Sequence, residues 1–290
     1  MYYDKEGKKI EIMEEADRKI KEIDSKSKGL LPEAKELMGL SERGANMVAI
    51  LAPSFVVAFE YPQIVGMLKK LGFKYVVEVA RGAEETNKQL LALMKLHPDR
   101  RYITNPCPTI VRTIRNKFPQ LIGYLAPIDS PMVATARICL KKWPKFKKVF
   151  IGPCLLKKLE AKEDRPDLDI LAITYKDLKE TFEFKKIKAK FFDKFSDFAI
   201  KARNTRLYPI SGGLAQSSGI IAKLTDPQYD VISGPQLVDK TLQEFLNKPE
   251  LKILDILNCE GGCINGPGIE SQDSLDRRRQ KVINYWNRAK

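Results

Sequence analysis

Leu257-Asn258-Cys259-Glu260-Gly261-Gly262-Cys263-Ile264-Asn265-Gly266-Pro267-Gly268, near the carboxyl end of the chain, sets two cysteines four residues apart among glycines. Glycine takes positive φ readily and lets the backbone approach a bulky inorganic group, with its amides aimed at anionic sulfurs. Thiolates are soft ligands that select zinc, copper(I) or iron-sulfur clusters. The run Lys252 to Leu257 just before it reads as a strand that delivers Cys259 at its carboxyl end.

Upstream, the same arrangement recurs twice. Arg101-Tyr102-Ile103-Thr104 ends at Asn105-Pro106-Cys107-Pro108, ahead of a helix through Lys117, and another helix runs from about Met132 to Lys142. Lys148-Val149-Phe150-Ile151 ends at Gly152-Pro153-Cys154, ahead of a lysine-rich helix. Earlier still come a strand at Met47 to Leu51, a helix at Ile64 to Leu71, a strand at Tyr75 to Ala80 and a helix from about Glu84 to Lys95. That alternation predicts βαβ units and a buried parallel sheet, an α/β fold. In open α/β sheets ligands bind at the carboxyl ends of the strands, where these cysteines fall.

The remaining segments fit the same rhythm. An edge strand is expected at Leu168 to Thr174 with a helix at Tyr175 to Phe182, inside a basic and weakly patterned stretch from about 165 to 205. Ser211-Gly212-Gly213-Leu214 reads as a turn, Tyr229 to Gly234 as a strand, Leu237 to Leu246 as a helix, and Ser274 to Arg288 as a basic amphipathic helix. Residues 1–46 read as a helical extension, with Ile10, Ile12, Met13, Ala16, Ile20 and Ile23 on one apolar face and a second short helix opening at Pro32.

The 290 residues, 43% hydrophobic, are enough to bury a substantial core. No apolar run approaches the roughly 20 residues that a membrane span needs, and the polar start has no signal-peptide core, so a cytoplasmic location is expected. Five cysteines are too few and too scattered for a disulfide scaffold, which favours metal binding or catalysis. The net charge of +14 suits nucleic acid or an acidic protein partner, and charge alone does not choose.

Three separated signatures together resemble the catalytic, H-cluster domain of iron-only (FeFe) hydrogenases. Thr104-Asn105-Pro106-Cys107-Pro108 resembles the first family motif, Thr-Ser-Cys-Cys-Pro. Gly152-Pro153-Cys154-Leu155-Leu156-Lys157-Lys158-Leu159-Glu160 resembles the second, Met-Pro-Cys-x-x-Lys-x-x-Glu, and Cys259-Glu260-Gly261-Gly262-Cys263 with its glycine tail resembles the third. Supporting similarity lies at Ala52-Pro53-Ser54, Gly82-Ala83-Glu84, Ser130-Pro131 and Ser211-Gly212-Gly213, so the resemblance spans about residues 47–290. Three motifs in order are far more specific than one.

The resemblance implies a two-lobed domain over residues 47–290, with mostly parallel sheets flanked by helices and the cluster in the cleft between lobes. Cys107, Cys154, Cys259 and Cys263 would hold a 4Fe-4S cubane, for which four thiolates is the right number. Cys263 would also bridge to a diiron centre carrying carbonyl, cyanide and a bridging dithiolate. Lys157 would donate to one cyanide. Ala52, Pro53, Ser54, Pro106, Pro153, Gly212 and Gly213 would line the cofactor pocket, with Ser130 a proton-relay candidate. The activity implied is reversible reduction of protons to dihydrogen. The partners implied are an acidic ferredoxin or similar electron carrier and the hydrogenase maturation proteins, with neither membrane nor nucleic acid expected.

Duller readings stand beside these. Four cysteines also suit zinc, although structural zinc sites favour Cys-x-x-Cys pairs and Cys107 and Cys154 stand alone. Cys139, beside Ile138 and Leu140 on a helix, reads as a small core residue, His97 as a surface residue, and the basic and aromatic run at 141–148 as a solvated loop. The departures from the family pattern also matter. Pro106 stands where the proton-relay cysteine is usual, Ile110 where Trp is usual, and Gly152 and Leu257 where methionines are common. Asn87-Lys88-Gln89-Leu90 lacks the family's glutamates. A non-catalytic iron-sulfur protein of the same fold, a hydrogen sensor or a relative of the assembly factors, is the alternative to a slow enzyme.

Overall fold

The computed structural model describes residues 31–288. The apolar face expected over Ile10 to Ile23 lies outside them. The described chain opens with helix α1 (Pro32–Glu42), where a proline in the first turn needs no amide partner and starts the helix. Leu37 and Leu40 of α1 enter the main core, and Glu33 pairs with Lys158 at 3.1 Å.

Two all-parallel sheets follow. The larger contains β1 (Met47–Leu51), β2 (Phe73–Glu78), β4 (Lys147–Gly152) and β5 (Ile170–Thr174), in the order β2-β1-β4-β5. The smaller contains β3 (Tyr102–Ile103), β6 (Tyr229–Ser233) and β7 (Ile253–Leu257), in the order β3-β7-β6. β1, β5 and β7 are buried along their whole length, as parallel strands covered on both faces must be. The wholly apolar run of β1 reflects that double burial, whereas β7 carries a buried aspartate, Asp255, at its centre.

The connecting helices are α2 (Gln63–Lys70), α3 (Val79–Leu96), α4 (Pro108–Lys117), α5 (Pro131–Lys142), α6 (Leu156–Leu159), α7 (Tyr175–Phe184), α8 (Gly213–Ser218), α9 (Pro235–Glu244) and α10 (Leu275–Asn287). α6 continues as a π-helical turn over Glu160–Asp164. The architecture is the α/β arrangement of parallel sheets flanked by helices that the sequence leads one to expect. One boundary moves. Alternation carries β2 on to Ala80, whereas the strand stops at Glu78 and α3 begins at Val79. The Glu78 carboxylate is buried, pairs with Arg206 at 2.8 Å, accepts from the Ala202 amide at 2.6 Å and from the Tyr285 hydroxyl. Partners more than a hundred residues away fix that turn, and local periodicity does not register them.

Candidate metal centre

All four motif cysteines fall just past strand carboxyl ends. Cys107 is the residue before α4, held in extended conformation after β3. Cys154 follows β4, while Cys259 and Cys263 follow β7. They come from both sheets, so the site exists only when the sheets pack together. Between Cys259 and Cys263 the chain turns at Gly261 and Gly262, with φ of 71° and 104°, and the Gly262 amide donates to the Cys259 carbonyl at 2.9 Å. A Cβ on Gly262 would lie 2.5 Å from the Pro209 carbonyl oxygen, so glycine is required there by both conformation and space.

None of the cysteines is in a disulfide. Burial pushes the Cys154 thiol up to about 12, with the neighbouring Cys107 adding to the rise and Lys157 opposing it. Cys259 and Cys263 are raised further, by burial first and then by the other thiols of the group. Thiols that raise one another in this way ionise together only against strong positive charge, such as iron supplies. Among the described residues, no three His, Cys, Asp or Glu side chains are gathered as a single ion requires. Cys139 is apart from them. It is fully buried in the main core, and burial pushes its thiol up to about 12.

Beside the thiols lies a cavity of about 580 Å³ whose wall is largely apolar. Ala52, Pro53 and Ser54 after β1, Pro106 after β3, Pro153 and Cys154 after β4, and Cys263 all line it, as does Lys157. Ala83, from the Gly82-Ala83-Glu84 segment, lines it as well, and Val79, Met132 and Tyr208, which the sequence does not single out, complete the wall from α3, α5 and a loop. Only their apolar character was legible, and that equally suits a core. Gly212 and Gly213 lie outside the lining: a Cβ on Gly213 would sit 1.9 Å from the Leu207 carbonyl oxygen, so these residues seat the loop that presents Tyr208 and Pro209.

Lys157 is the one charged side chain on this wall, and it is buried. Its ammonium donates to the Pro106 carbonyl at 3.1 Å and to Ser130 Oγ at 3.2 Å, and it pairs with the Glu160 carboxylate. Ser130 Oγ donates in turn to Glu160 Oε1 at 2.5 Å. Ser130 and Glu160 also border a second, more polar cavity of about 530 Å³ with Asn105, Arg115, Asp164 and Arg165. The Asn105 Oδ1 there finds no hydrogen-bond partner among the described residues. On the opposite side of the site, the Tyr175 hydroxyl donates to the Ala52 carbonyl and shares a hydrogen bond with Ser54 Oγ, both at 2.8 Å. Burial holds the Tyr175 phenol well above its ordinary range, so it stays a donor.

With this geometry established, the comparisons are specific. Residues 45–267 match the family described as iron-only hydrogenase large subunit, C-terminal domain, and the chain belongs to that family. Iron hydrogenase 1 of Clostridium pasteurianum is 25% identical over 255 residues, covering 69% of this chain and 44% of that protein. The chain thus spans less than half the length of that relative. Among solved structures, a variant of the FeFe-hydrogenase HydA1 from Chlamydomonas reinhardtii superposes with a TM-score of 0.67 at 17% identity, covering 87% of this chain and 88% of that one. An apo variant of the same protein superposes with a TM-score of 0.66 at 17% identity and the same coverage. The fold is that of the FeFe-hydrogenase H-domain.

Proposed function

We propose that this protein is an FeFe hydrogenase that interconverts protons and dihydrogen slowly. The observation that carries this reading is the grouping of four free thiols, from the ends of strands in both sheets and close enough to raise one another, two of which (Cys154 and Cys263) border an apolar cavity holding one buried ammonium. Cys107, Cys154, Cys259 and Cys263 would hold a 4Fe-4S cubane, with Cys263 bridging to a diiron centre bearing carbonyl, cyanide and dithiolate ligands. When bound, that group supplies the two-electron reduction of protons and its reverse. The protein supplies position, dryness and protons.

Ala52, Pro53, Val79, Met132 and Pro153 give the cavity a largely apolar wall. Lys157 Nζ places a positive charge at its wall, suited to an anionic ligand such as cyanide. Its hydrogen bonds already go to Pro106, Ser130 and Glu160, so reaching such a ligand means exchanging one of these acceptors. Pro106 has no ionisable group and no amide hydrogen, and so moves no proton. The chain from Lys157 Nζ through Ser130 Oγ to Glu160 is oriented to carry protons between the apolar cavity and the polar one. Electrons would come from an acidic ferredoxin-type carrier in the cytoplasm, steered by the +14 charge, with transfer falling steeply as salt rises. Hydrogenase maturation proteins would supply the diiron centre.

A second reading, a non-catalytic iron-sulfur protein of this fold acting as hydrogen sensor or assembly factor, is favoured by Pro106 and by the internally satisfied Lys157. The test is protein matured with a synthetic diiron complex, read by infrared spectroscopy and by hydrogen evolution. Carbonyl and cyanide bands with measurable evolution support the enzyme. Bands without turnover support the sensor, and iron without bands leaves a cubane protein.

A further inference from the structure

The most unusual surface lies far from the thiols, in Phe184-Lys185-Lys186-Ile187-Lys188-Ala189-Lys190-Phe191-Phe192-Asp193-Lys194-Phe195. Folded proteins ordinarily put aromatic rings in and carboxylates out. Here the order is inverted. Phe184, Phe191, Phe192 and Phe195 are 63%, 65%, 79% and 75% exposed, whereas Asp193 is buried. The arrangement is built: Asp193 pairs with Lys70 at the end of α2 and accepts from the Lys190 amide at 2.6 Å, and Lys70 donates to the Lys188 carbonyl at 3.2 Å. Phe191 packs edge-on against Phe192 and Phe195, with centroids 5.8 and 5.9 Å apart. A short 3-10 turn, anchored from beneath by the aspartate, thus holds three rings together in water.

The charge around the rings is one-sided. The segment carries five lysines against Asp193 alone, and Lys70 of α2, which contacts it, is flanked by Lys69 and Lys74. Lys185 pairs with Glu42 across to α1, but Lys186 and Lys188 have no carboxylate partner among the described residues.

We propose that the Phe184–Phe195 segment is a docking surface for an anionic lipid bilayer, which the exposed rings enter while the flanking lysines sit among the headgroups. Apolar patches exposed in water mark interaction sites, and the companions of the rings decide the partner. Protein interfaces are rich in aromatics at their centres but depleted in lysine. Segments that lie in a membrane interface mix aromatics with lysine, whose stem packs on apolar surface while the ammonium reaches the anionic headgroup. The interleaved pattern here is of the second kind. Placement argues against an electron carrier as occupant. α7 returns from the carboxyl end of β5, so Phe184 at its far end and Lys70, just ahead of β2, both lie at the amino edge of the larger sheet. A strand length of about 17 Å then separates the patch from the edge that bears Cys154. No helix of the described residues is long and apolar enough to cross a membrane.

The test uses the full-length protein without cofactor, sedimented with vesicles of phosphatidylcholine alone or of phosphatidylcholine mixed with phosphatidylglycerol. Binding to the mixed vesicles is expected, at least roughly tenfold tighter than to neutral ones and weakened by salt. Phe191→Ser with Phe192→Ser should weaken it about tenfold or more with an unchanged circular dichroism spectrum, because both rings are already exposed. Lys186→Glu with Lys188→Glu should abolish the preference for anionic vesicles. No binding to the mixed vesicles, or binding that survives both pairs of substitutions, overturns the proposal. Retention on polyglutamate without vesicle binding also overturns it, and assigns the patch to an acidic protein instead.

Discussion

Two cavities meet across Lys157, Ser130 and Glu160, and they differ sharply in the chemistry of their walls. The one beside the thiols, about 580 Å³, is walled by proline, alanine, valine, methionine and leucine, and its single charge is the Lys157 ammonium. The other, about 530 Å³, is bordered by Asn105, Arg115, Ser130, Glu160, Asp164 and Arg165, with Asp164 held by Arg112 at 3.0 Å and Arg115 at 3.1 Å. A dry chamber strengthens every electrostatic interaction inside it but offers protons no route of its own. The polar chamber has the opposite properties. The contrast teaches that positioning a buried cofactor and supplying it with protons can be separate tasks, joined here at three side chains.

The largest effect should come from the thiols in and beside the apolar chamber. Cys154→Ser or Cys259→Ser is expected to abolish cluster iron, measured as iron per chain after anaerobic reconstitution, whereas Cys139→Ala should keep it. Full iron in either serine variant would mean that the dry chamber is not a cluster site.

Next in size is the junction between the chambers. Glu160→Gln removes the carboxylate that both Lys157 and Ser130 contact, and should slow hydrogen evolution by roughly 10²- to 10⁴-fold at unchanged iron content. Ser130→Ala should cost about tenfold or less, because the direct contact between Lys157 and Glu160 remains. Equal losses in the two variants would show that the serine is the obligatory link. Rates that do not move in either would break the division of labour between the chambers.

Behind the dry wall, Asp255 sharpens the comparison through stability. Burial pushes its carboxyl from 3.8 up to about 6, against the opposing hydrogen bonds from the Ala215 amide and Thr104. The folded state therefore binds the proton more tightly than the unfolded chain does. Its contribution is fully present below about pH 4 and is lost as pH rises through 6, an effect of up to about 3 kcal/mol. Asp255→Asn keeps the neutral hydrogen-bonding group, so its stability relative to wild type should grow by up to that amount between pH 4 and pH 7 in denaturant titrations. A difference that is flat with pH would mean that this wall is wetter than its burial implies.

The smallest expected change is a gain. Pro106→Cys restores a thiol at the edge of the dry chamber and should raise hydrogen evolution up to about tenfold at unchanged infrared bands if protons are limiting. An unchanged rate would mean that the path through Glu160 already suffices.

How much of this was legible in the sequence can be argued residue by residue. The strand at Met47 to Leu51, the helix ending at Lys142 and the strand and helix around Tyr175 follow from local periodicity, because double burial leaves unbroken apolar runs and capping residues mark helix starts. The turn after Glu78 was missed, since Arg206 and Tyr285 impose it from far along the chain. The basic stretch from 165 to 205 looked weakly patterned because Phe184, Phe191, Phe192 and Phe195 do not face a core, although Phe182 and Phe198 do. Tyr175 and Tyr208 carried no signal separating a cavity wall from ordinary packing.

By itself the sequence determined the order of elements, the α/β class, and the fact that cysteines stand just past strand ends, because hydrogen-bonded elements are specified by neighbours a few residues apart. Only the tertiary structure decided that the strands divide into two sheets, that thiols from both converge, that Lys157 is held between Pro106, Ser130 and Glu160, and that Phe191 and Phe192 face water. Those are contacts between segments tens to hundreds of residues apart. Their energies come from burial and pairing in the assembled fold, so no local window of sequence contains them.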